Sequence, residues 1–516
     1  MPLRDGDLDE RPTSSETGER ERRPRRRRRR RSTRRAAREE HGESEGGDRT
    51  EEELHGFGRD SADSDGGAYE RAPWDLKRGA SSPPGEPAPQ VVASDSIAPD
   101  RIDQDALRVV SRLHRRGFEA YLVGGCVRDL MLGLEPKDFD VATAAHPRQV
   151  KRVFRNGRII GRRFKLVHVV YGDHVIETAT FRADPQPGRD EDQDLLIVDD
   201  NEFGTAAEDA RRRDFTINGL FLDPVAGRIL DFVGGLEDLE RRVIRTIGDP
   251  SIRMAEDPVR ILRAIKFSSR LSLEIDPETW AAMEALAAGL ERSAPARLVE
   301  EILRLLRSGH SGAAFRQLHE VGALRYLVPE LAEWLDWAEA GNDDPDLPFR
   351  VLDGLDQRTR RTGPPSVGLC VAALLAVPSE RALEELRGER AVPEGEVLRA
   401  IGALLETLGT ASRLSRRDLG HARRLLADQR RFRQASSKRF RPLLFMRGVD
   451  FEQTLELFHL MVEARDADWD LLERWQQRYR EALDVADEEV ETLRKTRRRR
   501  RRRRRSGGRG DSGATA

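Results

Sequence analysis

The chain has 516 residues, 37% hydrophobic and 35% charged, and a net charge of −1. That length allows roughly three domains, and so lopsided a balance fits folded parts mixed with charge-rich disordered ones. Two cysteines, Cys126 and Cys370, exclude a disulfide framework or zinc ribbon and fit a reducing, cytoplasmic setting, while no run is apolar enough to span a bilayer.

Residues 1–95 read as a disordered tail. Met1–Glu21 has no apolar core of the signal-peptide kind, and Arg25–Arg31, acidic His41–Asp65 and Pro-rich Ser82–Pro87 follow it. The arginine run Arg497–Arg505 mirrors it in residues 491–516. Blocks of arginine bind phosphate backbones without sequence preference, so both tails are expected to touch RNA rather than only to solvate the chain.

Order is expected from near Pro99. Asp103 can cap a helix with Leu107, Val110 and Leu113 on one face, ending at Gly117. Next comes the stretch that organises the chain: apolar Tyr121-Leu122-Val123, the turn Gly124-Gly125, Arg128-Asp129, then Asp138-Phe139-Asp140. Alternate side chains of a strand share a face, so Asp138 and Asp140 are expected to point together while Phe139 enters the core. Two carboxylates opposite a glycine turn suit Mg²⁺ ions bound to a triphosphate.

Pro147 opens another helix with Val150, Val153 and Phe154 inward. Lys165–Tyr171 and His174–Arg182, split by Gly172-Asp173, predict a hairpin. Within it Val175, Glu177, Ala179 and Phe181 share a face. A carboxylate among apolar neighbours wants a partner, so Glu177 is either a third metal ligand or a sheet-end Glu reaching water. Asp184–Asp200 reads as an acidic loop. In Arg211-Arg212-Arg213-Asp214-Phe215-Thr216-Ile217-Asn218, cations close to the metal site would bind triphosphate and neutralise charge on a leaving group.

From Leu236 the pattern is helical. Asp257, Arg260, Arg263 and Lys266 recur every three residues, predicting one drifting polar stripe opposite Ile261, Leu262 and Ile265. Asp with several guanidiniums can read a base edge and hold phosphates. Beyond about residue 290 helix follows helix. Arg416-Arg417, Arg423-Arg424 and Arg430-Arg431, with Phe432 and Phe440, could line an RNA path. The histidines lack zinc spacing, so no second metallohydrolase domain is expected.

Taken together, Gly124-Gly125-Cys126-Val127-Arg128-Asp129, Asp138-Phe139-Asp140, Arg212-Arg213-Asp214-Phe215-Thr216-Ile217-Asn218 and Glu256-Asp257-Pro258-Val259-Arg260-Ile261-Leu262-Arg263-Ala264 resemble the bacterial tRNA nucleotidyltransferase/poly(A) polymerase family over roughly residues 100–480. Within it, Ile160–Val169 looks like the segment that marks poly(A) polymerases rather than CCA-adding members.

The resemblance implies an α+β fold: a polymerase-β-type nucleotidyltransferase head (96–235), an all-α neck with the nucleotide-recognition helix (236–300) and a helical body (301–490). It also implies catalytic Asp138, Asp140 and Asp214, with Asp138 and Asp140 holding two Mg²⁺ ions. Gly124, Gly125, Arg128, Arg213, Asp257, Arg260 and Arg263 would bind nucleotide, Arg128 through a phosphate. Lys266 stands where the family usually has Arg, which removes a bidentate fork. The implied activity is template-independent transfer of AMP from ATP to RNA 3′ ends, with RNA-decay proteins as candidate partners. A CCA-adding or A-adding tRNA enzyme, or a non-catalytic RNA-binding protein, are the alternatives.

Overall fold

In the computed structural model, residues 88–485 are described, apart from 162–165, 184–202, 387–391, 407, 409–413 and 434–439. The arginine runs and nearly all of the acidic loop after Arg182 lie outside these residues.

An eight-stranded mixed sheet forms the N-terminal part. Its strands are β1 (Gln90–Ala93), β2 (Ala120–Val123), β3 (Asp140–Thr143), β4 (Gly157–Ile160), β5 (Leu166–Tyr171), β6 (His174–Thr180), β7 (Leu220–Asp223) and β8 (Arg228–Asp231). They lie in the order β1-β8-β7-β2-β3-β6-β5-β4, and only β3 and β6 pair in parallel. The hairpin turns at Gly172, whose φ of +57° suits a two-residue turn.

Three helices cover one face: α1 (Gln104–Arg115), α2 (Gly125–Met131) and α3 (Pro147–Val153). Asp103 caps α1, accepting from the Ala106 N–H at 2.8 Å. Val109, Val110, Leu113, Val127, Leu130 and Val150 from these helices meet Leu122, Val141, Val169 and Ile176 of the sheet in one core. The opposite face carries Tyr121, Val123, Ala142, Phe181 and Phe221 against Ala206 and Ala210 of α4 (Ala206–Arg211). Strand alternation puts Asp140 on this second face, with Ala142.

After the sheet come α5 (Gly235–Glu240), α6 (Pro250–Glu256), α7 (Arg260–Leu271), α8 (Pro277–Leu286), α9 (Pro295–Leu306) and α10 (Ser311–Glu320). All later described elements are helical. Three expectations change here. Residues 90–93, assigned to the tail, form edge strand β1, because Val91 and Val92 pair with Leu230 and Ile229. The stripe from Asp257 to Lys266 is not one helix: Pro258 disfavours helical geometry at the preceding residue, so α6 ends at Glu256 with Asp257 at φ −146°, and α7 restarts at Arg260. Finally, Phe432 of the expected RNA path is core, and some arginines in and beside that path form ion pairs within the fold. Arg424 pairs with Asp450 at 2.5 Å, Arg431 with Glu394 at 3.0 Å and Arg433 with Asp468 at 2.7 Å. Phe432 is buried in an aromatic core with Phe445, Phe451, Phe458 and Trp475.

Candidate active site

The site grows from the end of β2. Gly124 follows Val123 with φ +76°, a left-handed conformation costly for any residue with a Cβ. A Cβ here would stand 2.9 Å from Arg213 Nη1. Glycine thus lets the Arg213 guanidinium lie against the turn. Buried Asp209 receives Arg213 Nη2 at 3.0 Å, and the Phe221 ring lies 5.3 Å beneath the guanidinium.

Opposite Val123 stands Asp140, and the parallel pairing of β3 with β6 sets Glu177 beside it in register. Burial, then the Glu177 charge and less so Asp138, push the Asp140 carboxyl up to about 6 against the pull of Arg213. His168 of β5 approaches Glu177, with Nε2 3.5 Å from Oε1.

Asp138 does not share the strand. β2 ends at Val123, opposite Asp140, where Gly124 turns the chain away, so on that side residue 138 has no strand to pair with. Asp138 is instead exposed in the approach to β3, 3.9 Å from Lys137. Mutual repulsion among three hard oxygen donors is nonetheless what a divalent cation relieves, so Asp138, Asp140 and Glu177 fit a Mg²⁺-type ion. They are not drawn into a finished cage. The group whose ligand atoms come within 4.8 Å of one another, among the described residues, is Asp103, Asp105 and His174. Sequence reading missed that trio because folding brings His174 to the start of α1 from 69 residues away.

Asp214 is buried and spent on structure. Its Oδ1 accepts from the Phe215 N–H and Asn218 Nδ2, both at 2.9 Å, and its Oδ2 from Arg263 Nε at 2.7 Å. Burial alone would raise its pKa; the Arg263 charge and these hydrogen bonds hold it at about 2. Arg128, read as a phosphate ligand, is also interior. It donates to Asp129 Oδ1 from Nε at 2.8 Å and Nη2 at 2.6 Å, and to Asn218 Oδ1 at 2.6 Å. Its guanidinium is a strut beneath the turn, and Gly125 would place a Cβ 3.5 Å from it.

On the helical side, Asp257 accepts from Arg297 of α9 at 2.7 Å. Arg260 is buried, bonding Glu256 at 3.1 Å and the Arg253 carbonyl. Arg263 reaches back to Asp214, while Lys266 turns away to Glu301 at 2.8 Å. Arg253 was not read as a site residue. Its Nη2 clasps the carbonyls of Arg212 at 2.9 Å and Arg213 at 2.7 Å, fixing the backbone that presents Arg213. A helix offers no sequence signal for a backbone contact made 40 residues away.

A mixed sheet with a glycine turn, facing carboxylates and a flanking arginine, continued by helices, defines a nucleotidyltransferase-type head on a helical extension. Residues 120–245 match the poly A polymerase head domain, and residues 272–335 match the domain described as the probable RNA and SrmB-binding site of polymerase A. The likeness thus covers the sheet-bearing part of the chain and a stretch of the helices that follow it. Similar proteins include poly(A) polymerase I of Salmonella typhi, 44% identical over 51% of this chain and 58% of that protein. The CCA-adding enzyme of Geobacillus thermodenitrificans is 38% identical over 46% of this chain and 58% of its own length. This chain therefore spans a little over half the length of the relatives it matches. Among solved structures, the CCA-adding enzyme of Bacillus stearothermophilus in complex with CTP aligns at TM-score 0.52 and 26% identity, over 73% of this chain and 81% of that one.

Proposed function

We propose that this chain is a template-independent polynucleotide adenylyltransferase that adds AMP from ATP to RNA 3′ ends. The observation that carries the reading is Asp140, set beside Glu177 by strand register and facing the turn where Gly124 and Arg213 meet. Higher identity to poly(A) polymerase I than to CCA-adding enzymes favours it over the CCA-adding alternative.

In this reading Gly124 and Gly125 let the backbone approach the triphosphate, and Arg213 offsets its charge. The RNA 3′-oxygen bonds to the α-phosphorus as the α–β bridging bond breaks and pyrophosphate leaves. Asp138, Asp140 and Glu177 would hold Mg²⁺, which when bound lowers the pKa of the attacking hydroxyl and screens the phosphates. Asp214 acts through Arg263, holding α7 against the head, and Asp257 with Arg260 bounds the base side. Both cysteines are free and buried, and no described helix is long and apolar enough to cross a membrane. The free thiols are in keeping with work in a reducing compartment such as the cytoplasm.

Purified protein with Mg²⁺, an unstructured RNA and each NTP in turn tests the reading. Extension with ATP alone is expected, lost in Asp138→Ala/Asp140→Ala while RNA binding persists. Failure to extend that RNA, with repair of tRNA lacking its CCA end, would replace it with the CCA-adding reading.

A further inference from the structure

Arg263, Phe267 and Arg270 stand at i, i+4 and i+7 on α7 and so share one face. Each meets the head. Arg263 holds Asp214. The Phe267 ring lies 4.8 Å from the Arg128 guanidinium and packs edge-on against Phe215, with centroids 5.9 Å apart. Arg270 Nη2 donates to Asp129 Oδ2 at 2.9 Å, while Asp129 Oδ1 takes both bonds from Arg128. Asp129 is buried on α2, the helix that begins at Gly125.

α7 is also tied to the helical body, through Lys266 at the edge of this face and through Ser268 on the far side. Lys266 bonds Glu301 of α9 at 2.8 Å, and Ser268 Oγ accepts from Gln317 of α10 at 3.0 Å. The helix thus moves with the body, and its head contacts set the angle between the two.

We propose that Arg270 and Asp129 form the second of two pins fixing α7 at one angle to the Gly124–Gly125 turn, and that this angle sets the affinity for ATP. The Asp214 pin and the Phe267 packing lie about one helical turn apart, roughly 6 Å along the axis, and by themselves leave a pivot. A second pin two helical turns away, about 10 Å along the axis, removes it. The inference rests on the adenylyltransferase reading, in which the turn meets the triphosphate and the start of α7 meets the base. Both ends of one nucleotide are satisfied only at one angle. Arg270 is therefore a positioning residue; it touches neither ATP nor RNA.

The test compares the full chain with Arg270→Met and Arg270→Lys. Because Arg128 still pairs with Asp129 in both variants, the fold is expected to persist. Calorimetric ATP binding without RNA is measured alongside steady-state transfer to an unstructured RNA. Arg270→Met is expected to raise Kd and KM for ATP about tenfold, with kcat changed less than about twofold. Arg270→Lys, which can remake the single bond to Oδ2, is expected to recover most of the loss. An unchanged ATP Kd in Arg270→Met, or a lowered melting temperature with KM intact, overturns the proposal. Wild-type protein that binds ATP but transfers no AMP sinks the adenylyltransferase reading while the binding comparison still decides the pin. Wild-type protein that binds no ATP overturns both.

Discussion

Asp140 and Asp214 are carboxylates of one site with opposite affinities for a proton. Partial desolvation and the neighbouring Glu177 charge lift Asp140 to about 6, whereas Arg263 and three hydrogen-bond donors pull the more deeply buried Asp214 down to about 2. The difference divides their work: Asp140 waits for a cation, and Asp214 already has one. A depressed carboxylate pKa contributes stability that is present above the unfolded value near 3.8 and lost as pH falls through the folded value. From the spacing of those values Asp214 contributes roughly 2 kcal/mol at pH 7, about half of it gone by pH 3. Asp214→Asn is therefore expected to be less stable than wild type in urea at pH 7, with the gap narrowing as pH falls from 4 to 3. A gap constant across that range would show that Asp214 carries no linked charge in the fold. At this scale the sequence reading singled out Gly124, Asp140 and Glu177, and the fold sets Asp140 and Glu177 side by side through a parallel pairing that local pattern does not specify. The sequence reading could not foresee that Arg128 is buried or that Asp257 is held by Arg297. Both depend on partners supplied by distant segments, Asn218 and α9.

At the scale of elements, the misreadings have local causes. β1 is four residues long and follows a Pro-rich stretch, so nothing in its sequence separates it from the tail. Its order comes from β8, which it covers. An exposed, unpaired strand edge invites association, so the point of truncation matters. Protein beginning at residue 88 is expected to keep the melting temperature of the full chain. Protein beginning at residue 96 is expected to melt several degrees lower and to aggregate on heating, because Arg228–Asp231 becomes the edge. Equal melting and solubility of the two would mean that β1 adds nothing to the sheet. The α6–α7 corner teaches a related lesson. A three-residue repeat of charges looks continuous on paper, yet one proline splits it into a cap residue and a new helix. That split frees Asp257 to meet α9 while Arg263 turns to the head.

For the whole molecule, a net charge near zero conceals where the cations lie. Within the helical region, Arg424, Arg431 and Arg433 are each paired with a partly or largely exposed carboxylate, which weakens their pull on a phosphate backbone. The densest runs of basic charge are outside the described residues: seven arginines at Arg25–Arg31 and nine at Arg497–Arg505. Each phosphate neutralised on a single strand adds about 0.7 to the slope of log affinity against log salt. If half of these arginines engage phosphates, removing both runs lowers the slope by about 5 to 6. Protein spanning residues 88–485 is thus expected to bind RNA more weakly at low salt than the full chain and with a much flatter salt dependence. Its kcat at saturating RNA should match, because the carboxylates and the Gly124 turn are intact. An unchanged slope would return both runs to solvated charge and move RNA holding to the head and helical body. A fallen kcat would instead place the arginine runs close to the transfer chemistry.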